Sequence, residues 1–257
     1  MSHHKQLDRT SQYIRTVKKE VFGQVRNQYP FTLPAVKSLS EVELHPNVTF
    51  LAGENGSGKS TLLEAIAVAF GYNPEGGTRS FNFSTESSHS SLGDYLTLVR
   101  GISRPKDGFF LRAESFYNVA TYIDELDREL EGGKKIISSY GGKSLHQQSH
   151  GESFMALFLN RLTGKGLYIL DEPEAALSPM RQMAFISRMH DLVCDASQFI
   201  IATHSPIIMA YPNAYILNVE QGYEVIEYRN TEHYRVTYQF LTDTERMLKI
   251  LTEDSEI

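Results

Sequence analysis

Three short apolar runs, each ending in polar or acidic residues, organise the chain. Val48–Ala52 lies within "NVTFLA", Leu167–Leu170 within "GLYILDEPEAALSP", and Phe199–Ala202 within "QFIIATHSP". Unbroken apolar runs of this length predict strands buried on both faces, as in a parallel sheet. Elsewhere the period lengthens. Thr61–Phe70 sets Leu62, Ile66 and Phe70 on one helical stripe, and Gly71 followed by Pro74 ends that helix. After the polar turn around Gly151, residues Phe154, Leu157, Phe158 and Leu162 recur at helical spacing. Gly108–Phe116 reads as strand-like. The Ser/Gly/Thr-rich segment Gly76–Leu96 reads as a loop leading into a helix near Leu92–Val99. Residues 231–257 read as two short helices, with Thr231 and Thr242 or Asp243 as candidate caps.

Composition changes this picture only modestly. A length of 257 residues with 41% hydrophobic content permits a substantial core, in one large domain or two small ones. A net charge of −6 argues against an overall electrostatic grip on nucleic acid, though not against a local basic patch. Lys134, Lys135 and Lys143, in and beside the connector Glu131–Gly142, are the nearest thing to one. The single cysteine, Cys194, excludes an internal disulfide, fits a reducing compartment and reads as a small core residue. No apolar run approaches the roughly 18–20 residues that span a bilayer, and the polar N-terminus does not read as a signal peptide. A cytoplasmic setting is expected.

Candidate chemistry begins directly after the first apolar run. Gly53–Ser60, "GENGSGKS", has the spacing G-x-x-x-x-G-K-[ST], between a predicted strand and a predicted helix. Glycines let the backbone turn tightly and aim successive N–H groups inward, and a helix N-terminus adds further donors and partial positive charge. Nucleotide phosphates are the implied ligand, held by Gly53, Asn55, Gly56, Ser57, Gly58, Lys59, Ser60 and Thr61. Lys59 would reach the β- and γ-phosphates, and Ser60 would ligate Mg²⁺.

The other two strands add acids and a base. Asp171 and Glu172 follow Leu170 at a strand's carboxyl end, where open α/β sheets bind ligands. Asp171 can hold Mg²⁺ through its water shell, and Glu172 can orient and deprotonate an attacking water. His204, after the strand ending at Ala202, can hydrogen-bond a γ-phosphate or steer that water. Ser149 and Glu152 have the spacing of a capping box, and the helix start near Gly151 reads as a second anion site. With one phosphate site already at Gly53, this second site suits the nucleotide of another subunit.

In this order the pieces resemble the ABC-type ATPase superfamily over about residues 31–219. "GENGSGKS" stands as Walker A and "LYILDEP" as Walker B. "QSHGES" stands as the signature, with Ser149, Gly151 and Glu152 aligned and His150 replacing a glycine. "EAALSP" stands as the D-loop and "ATHSP" as the H-loop. Within the superfamily the chain is similar to small stand-alone bacterial ATPases of the RecF/SMC branch, without a coiled-coil arm. The family's glutamine loop falls in region 76–145, where Glu114 stands roughly at the Gln position. Glu114 is either a Mg²⁺ ligand or a surface residue paired with Arg112. Tyr29 is the candidate aromatic for stacking on adenine.

The resemblance implies a single α/β phosphate-loop ATPase domain over residues 1–257. Its mainly parallel core sheet would carry flanking helices and an antiparallel layer from near Phe31–Leu44. It further implies ATP and Mg²⁺ as ligands, Glu172 and His204 as catalytic residues, and a homodimer formed on ATP binding. A DNA-maintenance or defence-type role, with nucleic acid or an effector protein as partner, is expected. The alternative is an ATP-hydrolysing subunit of a membrane transporter.

Overall fold

The computed structural model describes residues 12–20, 23–78, 90–112, 116–129 and 136–252. Its strands are β1 (Ile14–Lys19), β2 (Glu41–Glu43), β3 (Val48–Ala52), β4 (Leu96–Arg100), β5 (Asp107–Arg112), β6 (Gly166–Asp171), β7 (Gln198–Ala202), β8 (Tyr215–Asn218) and β9 (Glu224–Val225). Its helices are α1 (Pro34–Ser38), α2 (Lys59–Phe70), α3 (Phe116–Glu129), α4 (His150–Asn160), α5 (Pro179–Cys194), α6 (Pro206–Met209), α7 (Glu232–Thr242) and α8 (Thr244–Thr252).

The three apolar runs become β3, β6 and β7. They lie in a six-stranded sheet of order β5-β6-β7-β3-β8-β9, parallel except for the short edge strand β9. Every residue of β3, β6 and β7 is buried, because each face of the sheet is covered. Strand periodicity deals their side chains to two cores. Leu51, Leu167, Ile169, Ile200 and Ala202 meet α2 and the antiparallel sheet. Val48, Phe50, Tyr168, Leu170, Phe199 and Ile201 meet α4, α5 and α6. Each fully buried Ile or Phe of this kind contributes about 1.5–3 kcal/mol of transfer free energy. The predicted helical stripes face the cores as well: Leu62, Ile66 and Phe70 of α2, and Phe154, Leu157 and Phe158 of α4, are buried.

A second sheet, of order β2-β1-β4, is antiparallel. Its position differs from the expectation. Within 31–44 only Glu41–Glu43 is strand, and Pro34–Ser38 is helical. The central strand is β1, from the N-terminal segment whose polar look hid its buried positions: Ile14 and Val17 are fully buried while Arg15 is exposed, and the register is irregular between Ile14 and Thr16. The helix expected near Leu92–Val99 is instead a 3-10 turn at Ser91–Tyr95 followed by β4, because pairing with β1 outweighs local propensity. The strand expected over Gly108–Phe116 ends at Arg112, and Phe116 starts α3.

One buried side chain ties the sheets together. Gln198, fully buried at the start of β7, accepts from the backbone N–H groups of Tyr13 and Ile14, both at 2.9 Å. It donates to the carbonyls of Ile14 (2.8 Å) and His45 (3.1 Å). A buried amide needs such a full set of partners, since an unmade bond there costs about 1–3 kcal/mol. Cys194, expected in the core, is exposed: it is the last residue of α5, on the face turned away from Met189 and Leu192.

Candidate functional site

Sheet order explains why distant motifs meet. β7 lies between β3 and β6, and all three run in the same direction. Their carboxyl ends therefore deliver the Gly53–Ser60 loop, the residues around His204, and Asp171–Glu172 to one edge. Such an edge, flanked by crossovers on both sides, is where α/β sheets bind ligands.

The loop closes into α2 two residues earlier than its apolar stripe indicated. α2 starts at Lys59, and Gly58 caps it with φ 96°. That left-handed conformation favours glycine, and a Cβ at Gly58 would also lie 2.9 Å from Leu33 Cβ. Lys59 is buried, and its ammonium donates to the carbonyls of Gly53 (2.9 Å) and Glu54 (2.8 Å). Burial pushes its pKa below the ordinary lysine value, with Glu172, Asp171, Glu220 and Glu174 opposing that shift. A buried ammonium bonded to two neutral loop carbonyls can exchange them for a charged acceptor, which makes the stronger hydrogen bond. Ser57 Oγ is buried with no hydrogen-bond partner among the described residues, an orphan donor inside the same loop. A cleft of about 200 Å³ lies over the loop, lined by Asn55, Gly56, Lys59, Ser60, Thr61 and Glu172 among others. Tyr29, 70% exposed, borders it, in a position compatible with stacking on a base.

Ser60 and Asp171, 111 positions apart, are joined by a 3.0 Å hydrogen bond from the hydroxyl to the carboxylate. Two hard oxygen donors beside a phosphate-type loop suit Mg²⁺, which prefers a few protein oxygens together with substrate phosphate and water. Glu172 adopts a left-handed backbone (φ 47°) and its N–H is bonded to Ala202 O at 2.9 Å. A non-glycine residue in this region costs about 1–2 kcal/mol. The strain turns its carboxylate out of the strand, to 3.7 Å from His204 Nε2. His204 Nε2 is itself buried and without a hydrogen-bond partner among the described residues. Burial and the nearby Lys59 charge lower the His204 pKa, outweighing Glu172, so the ring is neutral near pH 7.

Two residues at this edge escaped the motif reading. Glu174 clamps the turn after β7, accepting from Thr203 Oγ1 (2.7 Å) and from the His204 N–H (2.5 Å). Its place in "DEPE" was visible, but nothing in the spacing connects it to residues thirty positions later. His233, at the start of α7, lies 2.8 Å from His204 Nδ1 through its Nε2. Only the fold of the C-terminal segment brings the two rings together.

The signature residues occupy a separate place. The Ser149–Glu152 capping box forms at the start of α4, and the Glu152 carboxylate accepts from the Ser149 N–H (3.0 Å) and hydroxyl (2.8 Å). Those two bonds, together with Arg181 and Lys143, lower the Glu152 pKa. Gly151 packs against its own chain: a Cβ there would meet the Ala176 carbonyl at 2.6 Å and the Arg181 guanidinium. Neither Ser149, Gly151 nor Glu152 lines the cleft over Lys59. Glu114, together with Lys134 and Lys135, lies outside the described residues. Arg112, weighed as its ion-pair partner, is bonded to Glu64 of α2 at 2.6 Å. Among the described residues no group of three or more His, Cys, Asp or Glu side chains is placed to hold a metal ion, and no helix is long and apolar enough to cross a membrane.

A buried lysine in a glycine-rich loop, with a hydroxyl–carboxylate pair and an acid beside it, is a donor set that suits nucleotide phosphates. Comparison with known proteins agrees. Residues 30–155 match the family model described as "AAA domain". Residues 153–210 match the one described as "AAA domain, putative AbiEii toxin, Type IV TA system". No curated protein matches the chain. Among solved structures it is similar to CbiO1 from Clostridium perfringens, part of the ABC transporter complex CbiONQ. The two share 16% identity over 93% of this chain and 99% of that one, with a TM-score of 0.46. It is also similar to the SMC head domain from Thermotoga maritima, with 16% identity over 84% and 100% of the respective chains and a TM-score of 0.39. The two matched models together span residues 30–210 and support an ATPase domain of the AAA/ABC type, with which the RecF/SMC-like branch is consistent.

Proposed function

We propose that this protein is a single-domain ATPase that binds and hydrolyses ATP with Mg²⁺ and pairs head to tail with a second copy when ATP is bound. The observation that carries the reading is the convergence of Lys59, the Ser60–Asp171 pair, and Glu172 with His204 on one sheet edge. Lys59 releases its two carbonyls to bind the β/γ-phosphates. Ser60 and Asp171 hold Mg²⁺, which supplies charge neutralisation at the phosphates when bound. Glu172, turned out of the strand by its left-handed backbone, accepts the proton of the attacking water. His204 donates to the γ-phosphate or fixes that water.

Ser149 is exposed at the start of α4 and lies away from the chain's own cleft, which supports its facing a partner's nucleotide. Two nucleotides would then sit in one isologous twofold interface. ATP would stabilise the pair by mass action, and loss of the γ-phosphate would release it. A defence-type or DNA-maintenance process in the cytoplasm is the setting proposed, supported by the matched model whose description includes a Type IV TA system. The transporter-subunit alternative is not favoured, since both matched family models are AAA-domain models.

The test is Glu172→Gln. It should retain ATP yet lower turnover by roughly two to four orders of magnitude, the scale of a lost general base. In light scattering it should run as a dimer with ATP and Mg²⁺ and as a monomer without them. Adding Ser149→Arg should return it to monomer with per-chain ATP affinity nearly unchanged. Parental turnover in Glu172→Gln would remove the base assignment, and an ATP-independent oligomer would remove the shared-site mechanism.

A further inference from the structure

The contact between His204 and His233 has a chemical consequence. Their rings are 4.9 Å apart, and His204 Nδ1 lies 2.8 Å from His233 Nε2. At that distance one nitrogen must carry a proton and the other a lone pair. The ionisable groups around the pair are Lys59, Glu172, Glu174 and Glu232. Burial and Lys59 lower both histidine pKa values, and His204 lowers that of His233 further, so both rings are neutral near pH 7. Two neutral rings leave two arrangements. If His204 donates from Nδ1, its Nε2 is a bare lone pair 3.7 Å from the Glu172 carboxylate. If His233 donates from Nε2, His204 is protonated on Nε2 and points a donor at that carboxylate side. Electrostatics favours the second arrangement, because a lone pair facing an anion is repelled where an N–H is attracted.

We infer that His233 is a positioning residue that holds His204 in the tautomer with its proton on Nε2, aimed at the cleft edge. The inference rests on the proposed catalytic role of His204. The local fold supports it. Thr231, buried, caps α7 by accepting from the Tyr234 N–H at 3.3 Å, and its hydroxyl donates to Tyr228 O at 2.7 Å. Tyr234 packs on Tyr228 with ring centroids 4.7 Å apart. The first turn of α7 is thus anchored on both sides of His233, although no residue of α7 itself is buried. The anchored turn delivers one imidazole nitrogen to His204, and the rest of α7 projects away with Val236, Tyr238 and Leu241 exposed.

The experiment compares ATP turnover and ATP affinity in the full chain. His233→Phe, which cannot donate, should lower kcat by about ten- to a hundredfold, the scale on which removing a histidine's orienting partner acts. ATP affinity should stay within about twofold, since the bond matters to the reacting state rather than to binding. His233→Gln, whose amide N–H can reach the same nitrogen, should recover most of the rate. His204→Ala combined with His233→Phe should be no slower than His204→Ala alone, because His233 acts only through His204. Side-chain ¹⁵N NMR reads the tautomer without turnover: His204 should be protonated on Nε2 in the parent and in His233→Gln, and mixed in His233→Phe. If His204→Ala loses turnover but His233→Phe does not, this inference falls and the proposed function stands. If His204→Ala keeps parental turnover, the catalytic role of His204 falls. In that case, or if His233→Phe does not fold, the parent and His233→Gln spectra decide: an Nδ1-protonated His204 overturns the inference.

Discussion

His45 offers a test of how the two sheets are coupled beneath the phosphate loop. It sits in the turn before β3 and is 3% exposed. Its Nδ1 accepts from the Asn47 N–H (3.1 Å) and the Val48 N–H (3.3 Å), and its ring packs edge-on against Tyr215. An acceptor nitrogen must be unprotonated, and burial pushes the His45 pKa down to about 4 from the ordinary 6.5. The sign follows from proton uptake. Between these values the unfolded chain binds the proton and the folded chain does not, so stability is full above the ordinary pKa and falls as pH drops towards 4. The whole shift is worth about 3 kcal/mol. Of that, about 2 kcal/mol should be lost between about pH 7 and about pH 5.

His45→Asn keeps an acceptor, Oδ1, at nearly the same place but has no titrating group. Urea unfolding at the two pH values should show the parent losing about 2 kcal/mol more than the variant. His204 and His233 also have lowered pKa values, but they contribute equally to both proteins and cancel in the difference. An equal pH response in parent and His45→Asn would refute the reasoning, and with it the claim that Nδ1 of His45 is a structural acceptor.

Two further outcomes are expected. Lys59→Ala should weaken ATP binding at least about tenfold in calorimetry, because charge-assisted contacts of about 1.5–3 kcal/mol each are lost; equal affinity would contradict the phosphate role. Asp107→Ala should destabilise the fold by about 1–3 kcal/mol in denaturant titration, since it takes the carboxylate partner from a half-buried guanidinium and from three further donors. Asp107 accepts from Arg161 (2.8 Å), from the Thr163 N–H and hydroxyl (both 3.0 Å) and from Tyr168 OH (2.9 Å), so a loss below about 1 kcal/mol would show that network to be unimportant.

The parallel strands and the phosphate loop were legible because their determinants are local. A strand buried on both faces must be apolar throughout, so β3, β6 and β7 announced themselves, and a loop that wraps phosphate must carry glycines and a cation at set spacing. The α4 stripe and the Ser149–Glu152 cap were legible for the same reason, since both are written within one or two helical turns. Strand β1 was not, because a short antiparallel strand that is only partly covered mixes charged and apolar residues, and only its pairing with β2 and β4 distinguishes it from a polar tail. The same pairing turned the expected helix at Leu92–Val99 into β4. Sheet order was likewise out of reach. That β7 lies between β3 and β6, bringing His204 between Lys59 and Glu172, depends on crossovers that no run of residues specifies. Side chains that act through space are decided last: Gln198 bonded to β1, Ser60 to Asp171, and His233 to His204 are separated by up to 185 positions. Hydrogen bonds at such separations leave no periodicity in the chain, because the geometry that makes them is a property of the packed layers alone.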